Sequence, residues 1–315
     1  MQAVVIDHGE LRVEERPDPV PGDTEVLVAV RAAGVNGADM LQRQGHYAAP
    51  AGSPADIPGL ELAGEVVGTG RQVTAAQWGD RVMALVGGGA QATMAVVDES
   101  HLLAVPASVP WPEAGGFPEV FTTAYDALFT RCGLSVGDRL LVTGAAGGVG
   151  AAAVQLGAAA GAIVLASVRD PARHEEVAAL GAHEVIGSDD LAAHGPYDVV
   201  LELVGTPSLV QALDALSTGA RIAVVGVGGG SRVDLDLLAL MRSRATIGGS
   251  TLRSRSRAEK AAVTDAVRAH VLPLLAEGRV RVPVLATFPL AEAEAAYARF
   301  TAGSKLGKIV LVSND

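Results

Sequence analysis

The chain predicts an α/β fold in two parts, a β-rich first domain followed by a doubly wound parallel sheet. Three observations carry this. Arg139-Leu140-Leu141-Val142-Thr143-Gly144-Ala145-Ala146-Gly147-Gly148-Val149-Gly150 reads as a buried strand entering a helix through a glycine turn. After it, apolar strands alternate with helical stretches as far as residue 249. Before it, short alternating runs are broken by Gly and Pro, which is a β pattern.

Taken in order, residues 25–30, 65–68, 79–85 and 93–97 are the short strands of the first domain. A Pro-rich stretch from Pro106 to Pro118 marks the boundary. We assign residues 1–117 to the first domain and 118–271 to the second. Beyond the strand at 139–143, residues 163–167 form a second apolar strand. A helix over 171–180 stops at Gly181, and 184–186 is a third strand. Residues 197–204 are a fourth strand ended by Gly205, with a helix over 207–217. Residues 221–226 are a fifth strand, 234–242 a helix, and 245–249 a sixth strand. The link from Ile186 to Tyr197 is short, so its crossover helix is expected to be reduced. Continuous apolar strands alternating with helices imply a parallel sheet covered on both faces.

The glycine turn is a pyrophosphate site by its chemistry. A helix start offers unpaired N–H groups and partial positive charge to a phosphate. Gly144, Gly147, Gly148 and Gly150 clear side chains from its path, with Ala146 and Val149 between them. An NAD site usually places an acid at the end of the second strand to accept from the ribose hydroxyl. Ser167, Val168 and Arg169 stand there instead, with Arg173 one turn further. Guanidinium groups suit a 2′-phosphate, so NADPH is the expected cofactor. The plainer alternative is that both arginines are solvated cations.

A net charge of −11 over 315 residues disfavours nucleic acid or anionic membrane as partner. The Ala-rich stretches are interrupted by Gly and are too short to span a membrane. The first residues lack the basic-then-apolar pattern of a signal peptide, so a cytoplasmic location is expected. Cys132 is the single cysteine, which leaves no internal disulfide and no multi-cysteine metal site.

Several segments, in this order and spacing, resemble one family. They are Ala33-Gly34-Val35-Asn36-Gly37-Ala38-Asp39, Pro58-Gly59-Leu60-Glu61-Leu62-Ala63-Gly64-Glu65-Val66, Gly79-Asp80-Arg81-Val82, Thr122-Thr123-Ala124-Tyr125, the glycine loop, and Gly307-Lys308-Ile309-Val310-Leu311. The chain resembles the medium-chain dehydrogenase/reductases, in their zinc-free quinone oxidoreductase branch. Residues 39–47 and 251–255 are similar to the stress-inducible animal quinone oxidoreductases and their bacterial relatives. The resemblance implies a GroES-like catalytic domain, completed by residues 272–315, and a Rossmann domain between. It also implies NADPH-dependent reduction of quinones or related electrophilic carbonyl compounds, usually by a dimer.

Zinc dehydrogenases of this superfamily carry a Cys where Asn36 stands and a His where Leu60 stands. Neither residue can replace those ligands, so no metal is expected. Hydride then goes to an acceptor that is already electrophilic, and the protein mainly positions it. Asn36 is a candidate for bonding an acceptor oxygen, with N-capping of a 37–44 helix as the alternative. By family correspondence Tyr47 lies at the substrate mouth, against a loop-packing alternative. Thr123 stands where relatives place a side chain beside the nicotinamide. Val225, Gly226, Thr251 and Leu252 would form a backbone wall near the cofactor ring. Lys308 is included in the cofactor set, although a solvated lysine is its simpler reading, and Glu61 and Asp39 read as structural carboxylates. Many relatives carry Tyr after the third strand near the 2′-phosphate; here Ser188 stands at about that place.

A sheet edge from Ala245 to Ser250, carrying Gly248 and Gly249, suggests a homodimer paired along that strand. Two other functions remain open. One is an enoyl or enone reductase, which needs a proton donor such as Tyr47. A basic run of Arg242, Arg244, Arg253, Arg255 and Arg257 would favour it by receiving a phosphorylated carrier. The other is a non-catalytic NADPH-binding protein.

Overall fold

The structure is a computed structural model that describes residues 1–313. It divides into two compact units: Met1–Thr122 with Leu252–Gly303 and the residues from Lys308 onward, and Thr123–Thr251 with Ser304–Gly307.

The first unit opens with the antiparallel pair β1 (Gln2–Asp7) and β2 (Glu10–Glu15). The long strand β3 (Glu25–Val35) follows, then helix α1 (Gly37–Arg43). Strands β4 (Glu61–Thr69), β5 (Arg81–Leu85), β6 (Met94–Asp98) and β7 (Leu102–Ala104) come next. Helices α2 (Trp111–Gly115) and α3 (Pro118–Tyr125) end this part of the chain. Alternation decides which face of β3 is inside. Val26, Val28 and Val30 point one way and pack with Leu62, Val66, Val82 and Val97 in one core.

The second unit holds β8 (Arg139–Val142), α4 (Gly148–Ala159), β9 (Ile163–Ser167), α5 (His174–Ala178) and β10 (Glu184–Ile186). It continues with β11 (Tyr197–Glu202), α6 (Thr206–Leu213), β12 (Leu216–Val224), α7 (Leu237–Ser243) and β13 (Thr246–Gly249). All six strands are parallel, in the order β10-β9-β8-β11-β12-β13. This is the doubly wound order of dinucleotide-binding sheets, with its switch between β8 and β11. Leu141, Leu165, Val200 and Ile222 make its core with the ring of Tyr197.

The chain then forms α8 (Arg257–His270), α9 (Leu272–Ala276), β14 (Val284–Pro289), α10 (Ala293–Thr301) and β15 (Lys308–Val312). β14 and β15 complete the first unit's sheet, ordered β14-β15-β3-β4-β5-β7, with β6 paired to β3. The mixed α/β class is as expected from the sequence.

Several boundaries differ from expectation, each for a local reason. The chain rejoins the first unit at Leu252, before residue 272, because Leu252 packs with Leu85 and Val263 of α8. Arg268 of α8 also donates to the Leu102 carbonyl at 2.7 Å. The first unit runs to Thr122 and not to 117. β11 stops at Glu202, short of Val204, because the Val204 and Gly205 amides turn to the Glu202 carboxylate, both at 2.7 Å. α6 ends at Leu213, and the fifth strand starts early, at Leu216. The helix expected over 171–180 is a 3-10 turn, Pro171–Arg173, followed by α5. The reduced crossover between β10 and β11 is a single 3-10 turn, Leu191–His194.

Candidate active site

The candidate nucleotide site belongs to the second unit. Gly147 caps α4 with extended backbone, and Gly148, Val149 and Gly150 form its first turn, whose amides have no intrahelical partner. A Cβ on Gly150 would lie 2.5 Å from the Gly144 carbonyl oxygen, so only glycine lets the loop close here. Gly144 itself has φ +60, in the left-handed region that glycine favours. The Gly307 amide donates to the Ala146 carbonyl at 3.0 Å, bringing Ser304–Gly307 alongside the loop.

At the end of β9, Ser167 is buried and Arg169 exposed. The sequence reading found no acid here, yet Asp170 stands three residues past the strand. Its carboxylate accepts from the Ala172 amide at 3.1 Å and from the Ser304 hydroxyl. The Ser304 bond is the main cause holding its pKa below the usual carboxylate range. Arg173 is not a free cation: Nη1 meets Glu176 at 2.5 Å and Nη2 donates to the Ser304 carbonyl at 3.3 Å. Its buried Nε makes no hydrogen bond among the described residues. Ser188 bonds its neighbour Asp189.

At the end of β11, Val225 and Gly226 both donate to the Glu202 carbonyl, at 2.9 and 3.1 Å. The Glu202 carboxylate is fully buried, and one oxygen accepts from Thr143, Val204, Gly205 and Ser208. Sequence reasoning missed this residue; its only sign was an acid ending an apolar strand. Thr123 is buried in α3. Leu252 places its side chain in the apolar cluster with Leu85 and Val263.

A separate polar cluster lies in the first unit, where β3, β4 and β15 bring three polar side chains together. Lys308 is 3% exposed, which overturns the reading of it as a solvated lysine. Its ammonium donates to Glu61 Oε1 at 2.5 Å, Asn36 Oδ1 at 2.5 Å and the Val35 carbonyl at 3.1 Å, using all three hydrogens. Asn36 Nδ2 donates to Glu61 Oε1 at 2.9 Å, and the Glu119 amide donates to Oε2 at 2.8 Å.

Asn36 is also the N-cap residue of α1, as the capping alternative expected, and Asp39 closes the capping box by accepting from the Asn36 amide at 2.8 Å and from the Gly59 amide at 3.1 Å. Asp39 is fully buried, and burial pushes its pKa up to about 6 against the pull of those amides and of Lys308. Gln91 links it onward to the Tyr297 hydroxyl.

Tyr47 is half-buried on the turn after α1. The Arg253 guanidinium lies 4.9 Å from its ring centroid. Burial raises the phenol's pKa above its ordinary value, so the hydroxyl stays a donor through neutral pH. The basic run supposed to receive a carrier is dispersed: Arg253 is buried, Arg257 pairs with Asp98 at 2.8 Å, and Arg242 faces Asp236 at 4.0 Å.

The donor set around Asn36 and Glu61 does not fit zinc. An amide, a leucine and a carboxylate already saturated by a lysine leave no soft or imidazole ligand.

Known proteins agree with this architecture. Residues 22–107 match the alcohol dehydrogenase GroES-like domain family, and 180–311 the zinc-binding dehydrogenase family. Quinone oxidoreductase-like protein 2 of Bos taurus is 31% identical over 95% of this chain and 87% of its own. Acryloyl-coenzyme A reductase of Metallosphaera sedula is 30% identical over 99% and 100% of the two chains. The crystal structure of AibC superposes with a TM-score of 0.87 at 31% identity, covering 100% of this chain and 96% of that one. Full-length likeness, the parallel sheet with its glycine loop and the GroES-like unit lead to one conclusion: the chain belongs to the medium-chain dehydrogenase/reductase superfamily, as a nicotinamide-nucleotide-dependent oxidoreductase related to the quinone oxidoreductases.

Proposed function

We propose that the protein is an NADPH-dependent, zinc-independent reductase that delivers hydride to quinones or related electrophilic carbonyl compounds. The observation that carries this is the Lys308–Glu61–Asn36 cluster. An internal ammonium fills the oxygen ligands that a metal would need, which favours an acceptor that is electrophilic without a metal. A quinone meets that demand, because its reduction yields an aromatic ring.

NADPH supplies the hydride. The chain's own residues then bind and orient. The Gly147–Gly150 amides receive the pyrophosphate, and Arg169 and Arg173 receive the 2′-phosphate, Arg173 by exchanging Glu176. Asp170 lies three residues beyond the strand end and is bonded by Ala172 and Ser304, so the strand end itself presents arginine and no acid, which favours NADPH over NADH. Thr123 and the backbone at Val225, Gly226, Thr251 and Leu252 line the nicotinamide. Tyr47 faces the acceptor, its ring for stacking and its hydroxyl as donor, while Asn36 acts from inside the buried cluster. Lys308 serves that cluster and not the cofactor.

A second reading is an enoyl reductase with Tyr47 as proton donor. The likeness to acryloyl-coenzyme A reductase favours it; the dispersal of the arginines counts against a large carrier. We place the protein in the cytoplasm, in keeping with the absence, among the described residues, of any helix long and apolar enough to cross a membrane. It pairs as a homodimer along β13, an edge strand bonded, among the described residues, only to β12. Sedimentation as a monomer at micromolar concentration would reject that pairing.

Initial rates of NADPH and NADH oxidation with a benzoquinone, an ortho-quinone, an enone and an enoyl thioester test the function. Quinone turnover with NADPH better than NADH by about tenfold or more is expected. Turnover confined to the enone or thioester moves the protein to the enoyl reductases. Tight NADPH binding without turnover would make it a binding protein.

A further inference from the structure

Arg253 has an arrangement that the proposed function leaves unexplained. It is 5% exposed, yet no carboxylate bonds its guanidinium among the described residues. Nε donates to the Gly87 carbonyl at 2.8 Å, Nη1 to the Tyr47 carbonyl at 2.8 Å, and Nη2 to Gln42 Oε1 at 2.6 Å. Gln42 in turn donates to the Ala55 carbonyl at 3.1 Å. One planar fork thus ties the last turn of α1, the turn carrying Tyr47 and the turn at Gly87, and its flat face backs the Tyr47 ring.

Burying a cation against neutral oxygens costs free energy that a packing residue would not incur. The cost is visible. Burial holds the Arg253 pKa below its ordinary value, and burial, with the same guanidinium as a lesser cause, lowers that of nearby Lys260. Only guanidinium offers three coplanar N–H directions together with a face that stacks on an aromatic ring.

We propose that Arg253 is a positioning residue of the acceptor site, fixing the Tyr47 ring and its turn so that a flat acceptor such as a quinone meets a preset surface. This rests on the reading of Tyr47 as the residue facing the acceptor. Lysine cannot replace the fork, because it is a point charge with no planar geometry.

The test uses the full-length protein and its Arg253→Lys, Arg253→Gln, Tyr47→Phe and Tyr47→Ala variants. Benzoquinone kinetics, NADPH binding by fluorescence, and phenol titration by ultraviolet difference would be measured. Tyr47→Phe in each background isolates the Tyr47 signal from those of the other tyrosines. Both Arg253 variants are expected to raise the benzoquinone KM and lose roughly 100-fold in kcat/KM, the scale of a misplaced reactant, with NADPH binding unchanged. Release of the turn should also bring the Tyr47 titration down toward about 10, its unburied value.

Unchanged KM and titration in both Arg253 variants, with Tyr47→Ala still impaired, would overturn the positioning role alone. So would an upward titration shift, which means that the turn stayed buried and only the charge was lost. If Tyr47→Ala itself leaves benzoquinone kinetics intact, the acceptor reading fails, and the acceptor-positioning role falls with it. Should Arg253→Gln fail to fold, the charge-preserving Arg253→Lys decides by the same readouts.

Discussion

Lys308 Nζ lies 2.5 Å from Glu61 Oε1, with the two side chains 3% and 0% exposed. The pair joins the start of β4 to the start of β15, segments far apart in sequence, and Asn36 closes it from the end of β3. A charge pair this deep is held by geometry, since desolvation opposes it and only complete hydrogen bonding offsets the loss of water. Here all three ammonium hydrogens find acceptors.

Removing one partner should therefore cost far more than removing both charges. Lys308→Met strands a buried carboxylate and is expected to destabilise the fold by about 3–5 kcal/mol. Adding Glu61→Gln keeps an oxygen for the Glu119 amide and discards the charge, so the double variant should recover part of that loss. Urea unfolding measures both. A double variant as unstable as the sum of the singles would show that the charges are not coupled.

Asp39 gives the first unit's polar cluster a pH signature. Its folded pKa of about 6 lies above the ordinary 3.8, so the native state binds its proton more tightly than the unfolded chain does. The resulting stability is fully present below the unfolded pKa and is lost as pH rises from about 4 through 6. Its size is ~3 kcal/mol at most, taking 1.36 kcal/mol per pKa unit. Asp39→Asn lowers overall stability by mismatching one of two amide donors, yet it should flatten this dependence. Parallel slopes for both proteins between pH 4 and 6 would rule the assignment out.

At the candidate nucleotide site, Arg173→Ala is expected to weaken NADPH binding by about 1.5–3 kcal/mol, the usual worth of a hydrogen bond to a charged group. NADH, which lacks the 2′-phosphate, should bind as before. Part of the loss will be masked because Arg173 must first leave Glu176. Calorimetric titration of both nucleotides separates the cases, and equal losses would remove Arg173 from the 2′-phosphate site.

What the sequence disclosed was the part governed by short-range rules. Strand, glycine turn and helix at 139–159 follow from spacing alone, and alternation of apolar strands with helices fixes a parallel sheet. Lys308 was misread because a lysine defaults to solvent, and its partner Glu61 lies near the other end of the chain. Arg253 looked like one of a basic run because its partners are carbonyls and an aromatic face, which leave no mark in composition. Asp170 escaped because it follows the strand end by three residues and is bound by Ser304, from a distant segment.

Glu202 is the sharpest test of the turn that follows β11. One carboxylate oxygen accepts from the Val204 and Gly205 amides at 2.7 Å each, from Ser208 at 2.8 Å and from Thr143 at 2.9 Å, while the other oxygen has no partner among the described residues. All four bonds converge on one atom, so they draw on its concentrated charge. Glu202→Gln keeps an acceptor there and should lose about 1.5–3 kcal/mol with the charge. Glu202→Ala leaves two buried amides unpaired, each costing about 1–3 kcal/mol, and should be clearly less stable than Gln. Because Val225 and Gly226 hang on the same residue's carbonyl, loosening the turn should also weaken nucleotide binding. Unfolding curves and NADPH titration of the two variants give both answers. An alanine variant as stable as the glutamine one would mean that water replaces the carboxylate and that the turn holds without it.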